Sequence, residues 1–260
     1  ILMLPAGNSA AGKKRGNQLM QLYGKSDIGL VRKSNQDNFA FGQLPGGGAW
    51  LVVCDGMGGV NGGSVASKLA VERISWQLKS TYWRTVSAAG IKNILITAIY
   101  NANRSVYQKG QQTPALHGMG TTVVAAVLRD GTAYVAHAGD SRAYLLSGTK
   151  LTRVTTDHSI VQELVNHGDI SEEEAKTHPQ KNIITRVLGV EPAVEIDYQE
   201  FAVLEGDTLL LCTDGLTNYV EEQDILKQSA QPLELCCDTL IELAKQNGGG
   251  DNITITAVQY

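Results

Sequence analysis

Apolar and polar positions follow one another along the chain in two different patterns, and each pattern predicts a different element. Six short runs rich in β-branched residues, bounded by Gly, Asp or Asn, predict strands. Three segments with apolar residues at helical spacing predict helices that each bury one stripe. The strand runs are 50–54, 121–128, 133–138, 142–146, 208–212 and 253–258, and the helical stripes run through 66–78, 91–106 and 236–244.

The order of these runs predicts the fold class. Strand runs and helix runs come in blocks, and Gly139-Asp140 between two strand runs is typical of a hairpin turn. We therefore expect an α+β protein of antiparallel sheets covered by helices. Residues 1–19 show no sustained periodicity, so we interpret them as a tail or a cloning remnant. Residues 20–260 are then expected to form a single domain.

Composition narrows the possible partners and the compartment. Hydrophobic residues make up 43% and charged residues 18%, which is usual for a folded chain, and the net charge is −4. This acidic balance disfavours nucleic acid as a partner. No apolar run reaches the roughly 20 residues that a membrane span needs. Two of the four cysteines lie in apolar runs and two are adjacent, so we expect reduced thiols and a cytoplasmic protein.

Four aspartates fall where strong apolar runs end. Asp55 and Asp214 each open an Asp-Gly pair after such a run, Asp251 precedes the last run, and Asp140 lies between two runs. A single Asp-Gly pair is an ordinary turn signal. Four carboxylates at strand ends would repel one another unless divalent cations neutralised them, and an oxygen-only ligand set favours Mg²⁺ or Mn²⁺. The pattern therefore predicts a metal centre.

A polar stretch nearer the N-terminus provides a second candidate element. Arg32 precedes Asp37 by five residues, which offers a guanidinium fork for phosphate beside a carboxylate that can hold a water. Taken alone, the stretch is more typical of a solvated surface turn. Arg142 and Arg186 are better interpreted as salt-bridge residues, and His137 and His158 as structural.

A set of short motifs occurs in a fixed order along the chain, and together they resemble the protein phosphatase 2C (PPM) family in its compact bacterial form. The resemblance extends from about Tyr23 to the C-terminus. The motifs are Arg32-x-x-Asn35-Gln36-Asp37, Asp55-Gly56-Met57-Gly58-Gly59, Met119-Gly120-Thr121-Thr122, Gly139-Asp140-Ser141-Arg142, Thr156-Asp157-His158-Ser159, Asp214-Gly215-Leu216 and Gly250-Asp251-Asn252-Ile253-Thr254.

The resemblance implies a β-sandwich of two antiparallel sheets with helices on both outer faces, a four-layer αββα arrangement. It also implies two core Mn²⁺ or Mg²⁺ ions and a weaker third. Asp55 would bridge the two core ions, with the Gly56 carbonyl on one of them. The remaining residues would have separate roles. These are Asp214 and Asp251 as ligands, Asp37 orienting a water, Arg32 binding phosphate, and Asp140 sharing the third ion with Asp214.

Two positions depart from the family pattern. Gln36 stands where many members have Glu, which removes an acidic group near the second ion. Met57 stands where animal members carry a histidine that is thought to protonate the leaving group, so that proton would come from water. The segment from Asp157 to Gly189, with the acidic run 172–174, resembles the flap beside the active site of bacterial members, although the run alone is typical of a solvated helix.

The function implied by the resemblance is hydrolysis of phosphoserine and phosphothreonine in proteins by a water that bridges two ions, without a covalent intermediate. The expected protein is a monomer that acts on the substrates of a serine/threonine kinase and on the kinase itself. Two other classes remain open: a binding module that keeps only the fold, and a two-metal hydrolase of another ester, such as a nuclease. The retained carboxylates disfavour the first class, and the acidic charge disfavours the second.

Overall fold

The computed structural model describes residues 20–260, apart from the side chains of residues 60 and 61, so the predicted tail lies outside the described residues. The strands are β1 Gln21–Asp27, β2 Asp37–Leu44, β3 Gly48–Met57, β4 Gly120–Thr121, β5 Val123–Arg129, β6 Thr132–Ala138, β7 Arg142–Ser147, β8 Lys150–Arg153, β9 Asp197–Ala202, β10 Thr208–Cys212 and β11 Ile253–Gln259. The α-helices are α1 Gly59–Thr81, α2 Ala88–Gln112, α3 Ile160–His167, α4 Glu172–Thr177, α5 Asp214–Thr217, α6 Glu222–Gln228 and α7 Leu233–Gln246, and a 3₁₀ turn spans Pro114–Leu116.

The strands form two antiparallel sheets that pack face to face. The first sheet has the order β1-β11-β10-β7-β8, and the second has the order β2-β3-β5-β6-β9, with β4 paired to β3. Three buried clusters separate the layers. One contains Leu51 and Leu211 between the sheets, one contains Val52 with Ile74 and Ile99 of α1 and α2, and one packs β10 and β11 against α7. The predicted four-layer αββα fold is confirmed.

The alternation of side chains along β3 shows how one strand serves two cores. Leu51 and Val53 face the opposite sheet, whereas Trp50 and Val52 face the helices α1 and α2. Successive side chains of a strand point to opposite faces, so a strand covered on both sides must be apolar throughout. This is why 50–54 is a continuous apolar run, and why the strand delivers Asp55 at a rigid end.

The prediction of a hairpin at Gly139-Asp140 is wrong. β6 pairs with β5 and β9, whereas β7 pairs with β10 and β8, so this turn carries the chain from one sheet to the other. Gly139 has φ +116°, and a Cβ there would lie 2.7 Å from the Thr122 side chain. A Gly-Asp pair marks a sharp change of direction, but it does not specify which strand receives the chain.

The structure also describes the cysteines, the lengths of the helices and the acidic run. All four cysteines are free and buried, and burial raises the pKa of the Cys236 thiol to about 11. None of the helices within residues 20–260 has the length and apolarity to cross a bilayer. The acidic run 172–174 forms the first turn of α4, where Ser171 and Glu174 make a reciprocal capping box.

Candidate metal centre

The predicted aspartates lie on chain segments that the two sheets bring to one end of the sandwich. Asp37 begins β2 and pairs in register with Asp55 of β3. Asp214 begins α5 two residues after the last residue of β10, and Asp251 lies two residues before the first residue of β11, which pairs with β10. Asp140 lies in the crossing between the sheets. Asp37, Asp140, Asp214 and Asp251 all repel Asp55 and thereby raise its pKa.

Asp37 is the most completely enclosed of these acids. Its Oδ2 accepts hydrogen bonds from the hydroxyls of Thr213 (2.9 Å) and Thr254 (2.7 Å). Its Oδ1 is buried and has no partner. Burial raises the pKa of Asp37 to about 7, although the two threonine bonds oppose the shift, and Asp214 and Asp251 add repulsion. The Oδ2 atom of Asp37 is therefore fixed by the two threonines, and Oδ1 is available to a ligand.

The other acids show the same excess of negative charge. Burial, followed by repulsion from Asp37 and Asp214, raises the pKa of Asp55 well above its ordinary value. Burial also raises the pKa values of Asp140 and Asp214. The Oδ1 atoms of Asp140 and Asp214 are buried without partners. Among the described residues, no Lys or Arg forms an ion pair with Asp37, Asp55, Asp140 or Asp214.

Glycine at position 56 is required by close backbone packing. A Cβ on Gly56 would lie 2.1 Å from the Gly63 carbonyl oxygen, and its N–H donates to the Gln36 carbonyl. The Asp55 backbone is held from the other side. Its N–H donates to the Thr122 hydroxyl oxygen, and its carbonyl accepts from the Thr122 N–H and the Thr121 hydroxyl. The segment that carries the central acid is thus fixed by backbone contacts on both sides.

Arg32 lies on a loop that is tied to the Asp251 segment. The Asn252 side chain accepts from the Gln36 N–H and donates to the carbonyls of Ile28 and Ser34. Arg32 Nη2 lies 2.8 Å from Asp251 Oδ2, and the hydrogen bond to Asp251 raises the pKa of the guanidinium further. About half of the Arg32 side chain is exposed at 54%, so most of its donors remain free for an anion.

The two departures from the family pattern have defined positions. Gln36 donates its amide to the Gly59 carbonyl and forms no bond to a carboxylate, so it contributes no charge to the site. Met57 ends β3 opposite Gly120, and its thioether has no proton to donate.

The donor set fits divalent cations. Carboxylate oxygens that are buried, unpaired and mutually repelling are costly unless positive charge reaches them. Hard oxygen donors of this kind are the ligands preferred by Mg²⁺ and Mn²⁺. The residues present therefore match the ions that the sequence predicted.

A second group, His137, His158 and Asp197, also brings possible ligand atoms together, within 4.8 Å of one another. Within residues 20–260 it alone meets that spacing, and the aspartates do not. Its chemistry nevertheless argues against a metal, because Arg186 already binds Asp197 (2.9 Å) and lies 3.2 Å from His158 Nε2. Hard, buried carboxylates without a counter-charge are the better match to Mg²⁺ or Mn²⁺. The aspartates are therefore the better candidate for the metal centre, although the ligand atoms of the histidine group lie closer together.

The residues that hold the acids were missed by the sequence reasoning. Thr213 and Thr254 fix Asp37, and Asn252 fixes the Arg32 loop. Each is a polar residue at or next to the end of an apolar strand, and each is adjacent in sequence to a predicted ligand or lies three residues beyond one. That signal was present in Thr213-Asp214 and Asp251-Asn252-Ile253-Thr254.

Comparison with known proteins identifies the family of this chain. Residues 31–246 match the family model described as protein phosphatase 2C. The chain is 41% identical over 238 residues to the serine/threonine phosphatase stp of Listeria welshimeri, which covers 90% of this chain and 94% of the relative. The chain belongs to the protein phosphatase 2C family, and it is a protein phosphatase.

Solved structures of relatives share the fold. The serine/threonine phosphatase of S. agalactiae superposes with a TM-score of 0.86 at 36% identity, covering 92% of this chain and 99% of that one. The catalytic domain of the phosphatase PstP, solved in complex with 2 manganese ions, has a TM-score of 0.82 at 33% identity and covers 93% and 98% of the two chains.

Proposed function

We propose that this protein hydrolyses phosphoserine and phosphothreonine in other proteins, by direct attack of water and without a covalent intermediate. The observation that carries the proposal is the group of buried aspartates, three of which have an unpartnered carboxylate oxygen. Support also comes from the family match and from the manganese-bound relative. No cysteine is placed to act as the nucleophile, since all four are buried.

In this proposal Asp55, the Gly56 carbonyl, Asp214 and Asp251 hold two core ions, and Asp140 with Asp214 holds a weaker third. Mn²⁺ or Mg²⁺ bound there supplies positive charge and lowers the pKa of water. Burial and mutual repulsion raise the pKa values of Asp55 and Asp214, whereas an ion is held by the ionised carboxylates, so ion binding should release protons.

Asp37 and Arg32 act on water and on phosphate, respectively. Asp37 keeps Oδ2 on two threonine hydroxyls and presents Oδ1, which can accept a proton of the attacking water and so orient it. Arg32 donates to the phosphoryl oxygens while one nitrogen stays anchored on Asp251. A guanidinium held in this way loses little freedom when it binds. The leaving alkoxide takes its proton from water, because Met57 offers none.

The setting of this activity is also part of the proposal. We take residues 20–260 to be one domain, supported by the core that both sheets share. The partners are phosphorylated proteins, including the substrates of a serine/threonine kinase and the kinase itself. The protein acts as a monomer in the cytoplasm, which is in keeping with its four free thiols.

The test is phosphate release from a phosphothreonine peptide by metal-stripped protein before and after addition of Mn²⁺. We expect no release after EDTA treatment and recovery with Mn²⁺. Single-stranded DNA, assayed in parallel, should remain intact. Cleavage of DNA in preference to the peptide would support the nuclease class, and peptide binding without release at any Mn²⁺ concentration would support a binding module.

A further inference from the structure

The turn that carries Asp140 is held on both sides by two consecutive residues, Asp157 and His158. Gly139 donates its N–H to His158 Nδ1 (3.1 Å), and its carbonyl accepts from the His158 N–H (3.0 Å). Arg142 donates to both oxygens of Asp157, at 3.0 Å and 2.7 Å. Asp140 therefore lies between two anchored neighbours. The family resemblance assigns no role to either anchor.

These contacts determine which nitrogen of His158 carries the proton. Nδ1 accepts from a backbone N–H and must be unprotonated, so the neutral ring carries its proton on Nε2. Nε2 lies 3.3 Å from Asp197 Oδ2, which is placed to accept that proton, and Arg186 holds the other Asp197 oxygen. The ring of His137 stacks on His158 with centroids 4.7 Å apart. The imidazole is thus fixed in both orientation and tautomer.

His158 is also the point where the flap-like segment leaves and rejoins the sandwich. Its carbonyl accepts from Thr185, and its neighbour Ser159 forms a bridge with Ile184. Ile160 donates to the Ile183 carbonyl. The segment from His158 to Thr185 carries α3 and α4. Its two ends therefore meet at His158, the residue that is hydrogen-bonded to Gly139.

We propose that His158, held by Asp197, is a positioning residue for Asp140 and that it sets the affinity of the weak cation site. The inference rests on the proposed function, in which Asp140 is a ligand of the third ion. The physical reason is that Asp140 Oδ1 has no partner of its own, so its position depends on the backbone around it. Groups that orient a ligand in this way typically change ion affinity about 10- to 100-fold.

Two substitutions of His158 separate its two hydrogen bonds. In His158→Asn the amide oxygen can take the place of Nδ1 and keep the bond from Gly139. In His158→Gln the polar end lies farther out, near the place of Nε2, and Gly139 loses its acceptor. Ile241→Ala, a core truncation in α7 on the other outer face, is the control for stability alone.

The experiment is an equilibrium Mn²⁺ titration followed by the electron paramagnetic resonance signal of free Mn²⁺. We expect His158→Gln to weaken the lowest-affinity ion about 10- to 100-fold while the two tight ions are unchanged. His158→Asn, which keeps the bond from Gly139 but not the contact with Asp197, should weaken this ion less than His158→Gln, and Ile241→Ala should bind it as the unsubstituted protein does. A wild-type weak phase in His158→Gln would overturn the inference, as would equal loss in Ile241→Ala.

Two further variants complete the test. Asp140→Ala should remove the weak phase, and if it does not, the third ion of the proposed function fails for a reason separate from His158. Should His158→Gln not fold, Asp197→Ala takes its place, since Asp197 is 43% exposed in its side chain and its loss disturbs packing less. It should weaken the same ion, and an unchanged weak phase in it would overturn the inference.

Discussion

Two acid-rich regions meet at Asp140, and they differ in how their negative charge is balanced. Around Asp157 the buried carboxylate is paired with both Arg142 and Arg153, and the nearby Asp197 is paired with Arg186. Around Asp55 the carboxylates have neighbours of the same sign and threonine or amide donors, and Arg32 reaches only Asp251. The negative charge around Asp157 is therefore balanced by the protein's own arginines, and the charge around Asp55 is not.

The difference indicates what each region is for. A buried acid whose charge is matched by guanidinium groups stabilises the folded chain, and removing one partner leaves an uncompensated charge. A buried acid with a raised pKa and an unpartnered oxygen is a cost to the fold, which is tolerated where a ligand supplies the missing charge. Proximity of possible ligand atoms alone would have selected the histidine group instead.

The largest effect should come from Asp55→Asn, because this acid is repelled by all four other carboxylates of the proposed centre and so lies centrally among them. Loss of its charge should remove several kcal/mol of transition-state stabilisation, which corresponds to a fall in kcat of about a thousandfold or more. Phosphate release from a phosphothreonine peptide at saturating Mn²⁺ measures it. Activity within a few fold of the unsubstituted protein would remove Asp55 from the centre.

Substitution in the region around Asp157 should change the stability of the fold. Asp157→Asn leaves Arg142 and Arg153 without their anion and should lower the free energy of unfolding by about 3 kcal/mol. Asp55→Asn, measured in EDTA, should instead be neutral or stabilising because it relieves repulsion. Urea unfolding of both variants makes the comparison, and effects of the same sign would show that the two regions do not differ.

The pH dependence of stability should reveal the acids that lack a counter-charge. Burial raises the pKa of Asp37 to about 7, from about 4 in an unfolded chain. Between these values the folded state binds the extra proton, so this stabilisation is complete below about pH 4 and is lost as pH rises through 7. In EDTA, the protein should lose about 3 kcal/mol of stability relative to Asp37→Asn between about pH 4 and pH 7, since each pKa unit corresponds to about 1.4 kcal/mol. A pH-independent difference would contradict the raised pKa, and saturating Mn²⁺ should reduce the slope.

The smallest effect should follow loss of Arg32, the arginine that is bound to Asp251. Arg32→Ala should raise KM and lower kcat/KM about tenfold, because one charge-assisted hydrogen-bonding group to phosphate is removed. Arg32→Lys should recover part of this, since it restores charge without the fork. Mn²⁺ affinity should change little, and wild-type kinetics in Arg32→Ala would make Arg32 an ordinary surface residue.

The central strands could be predicted from sequence because they are buried on both faces. β3, β5, β6, β10 and β11 lie within or close to the six apolar runs. The strands β1, β2, β8 and β9 are partly exposed and have mixed sequences, so no run marked them. The pairing partner of β7 was also hidden, because a turn motif encodes local geometry and not the destination of the chain.

The sequence predicted the acids of the candidate site but not the residues that hold them in place. The acids could be found because each stands at the end of an apolar run, where a charge is conspicuous. Thr213 and Thr254 bond to Asp37 across more than 170 residues of chain, and such contacts depend on sheet register, which no local pattern contains. The grip of His158 on Gly139 is of the same kind.

The most direct test of the central claim is the position of Mn²⁺ in a crystal soaked with the ion, located by anomalous scattering at the manganese edge. The account predicts peaks in contact with Asp55, Asp214 and Asp251, and none at His137, His158 and Asp197. A peak held by the two histidines, with the aspartate group empty, would contradict it.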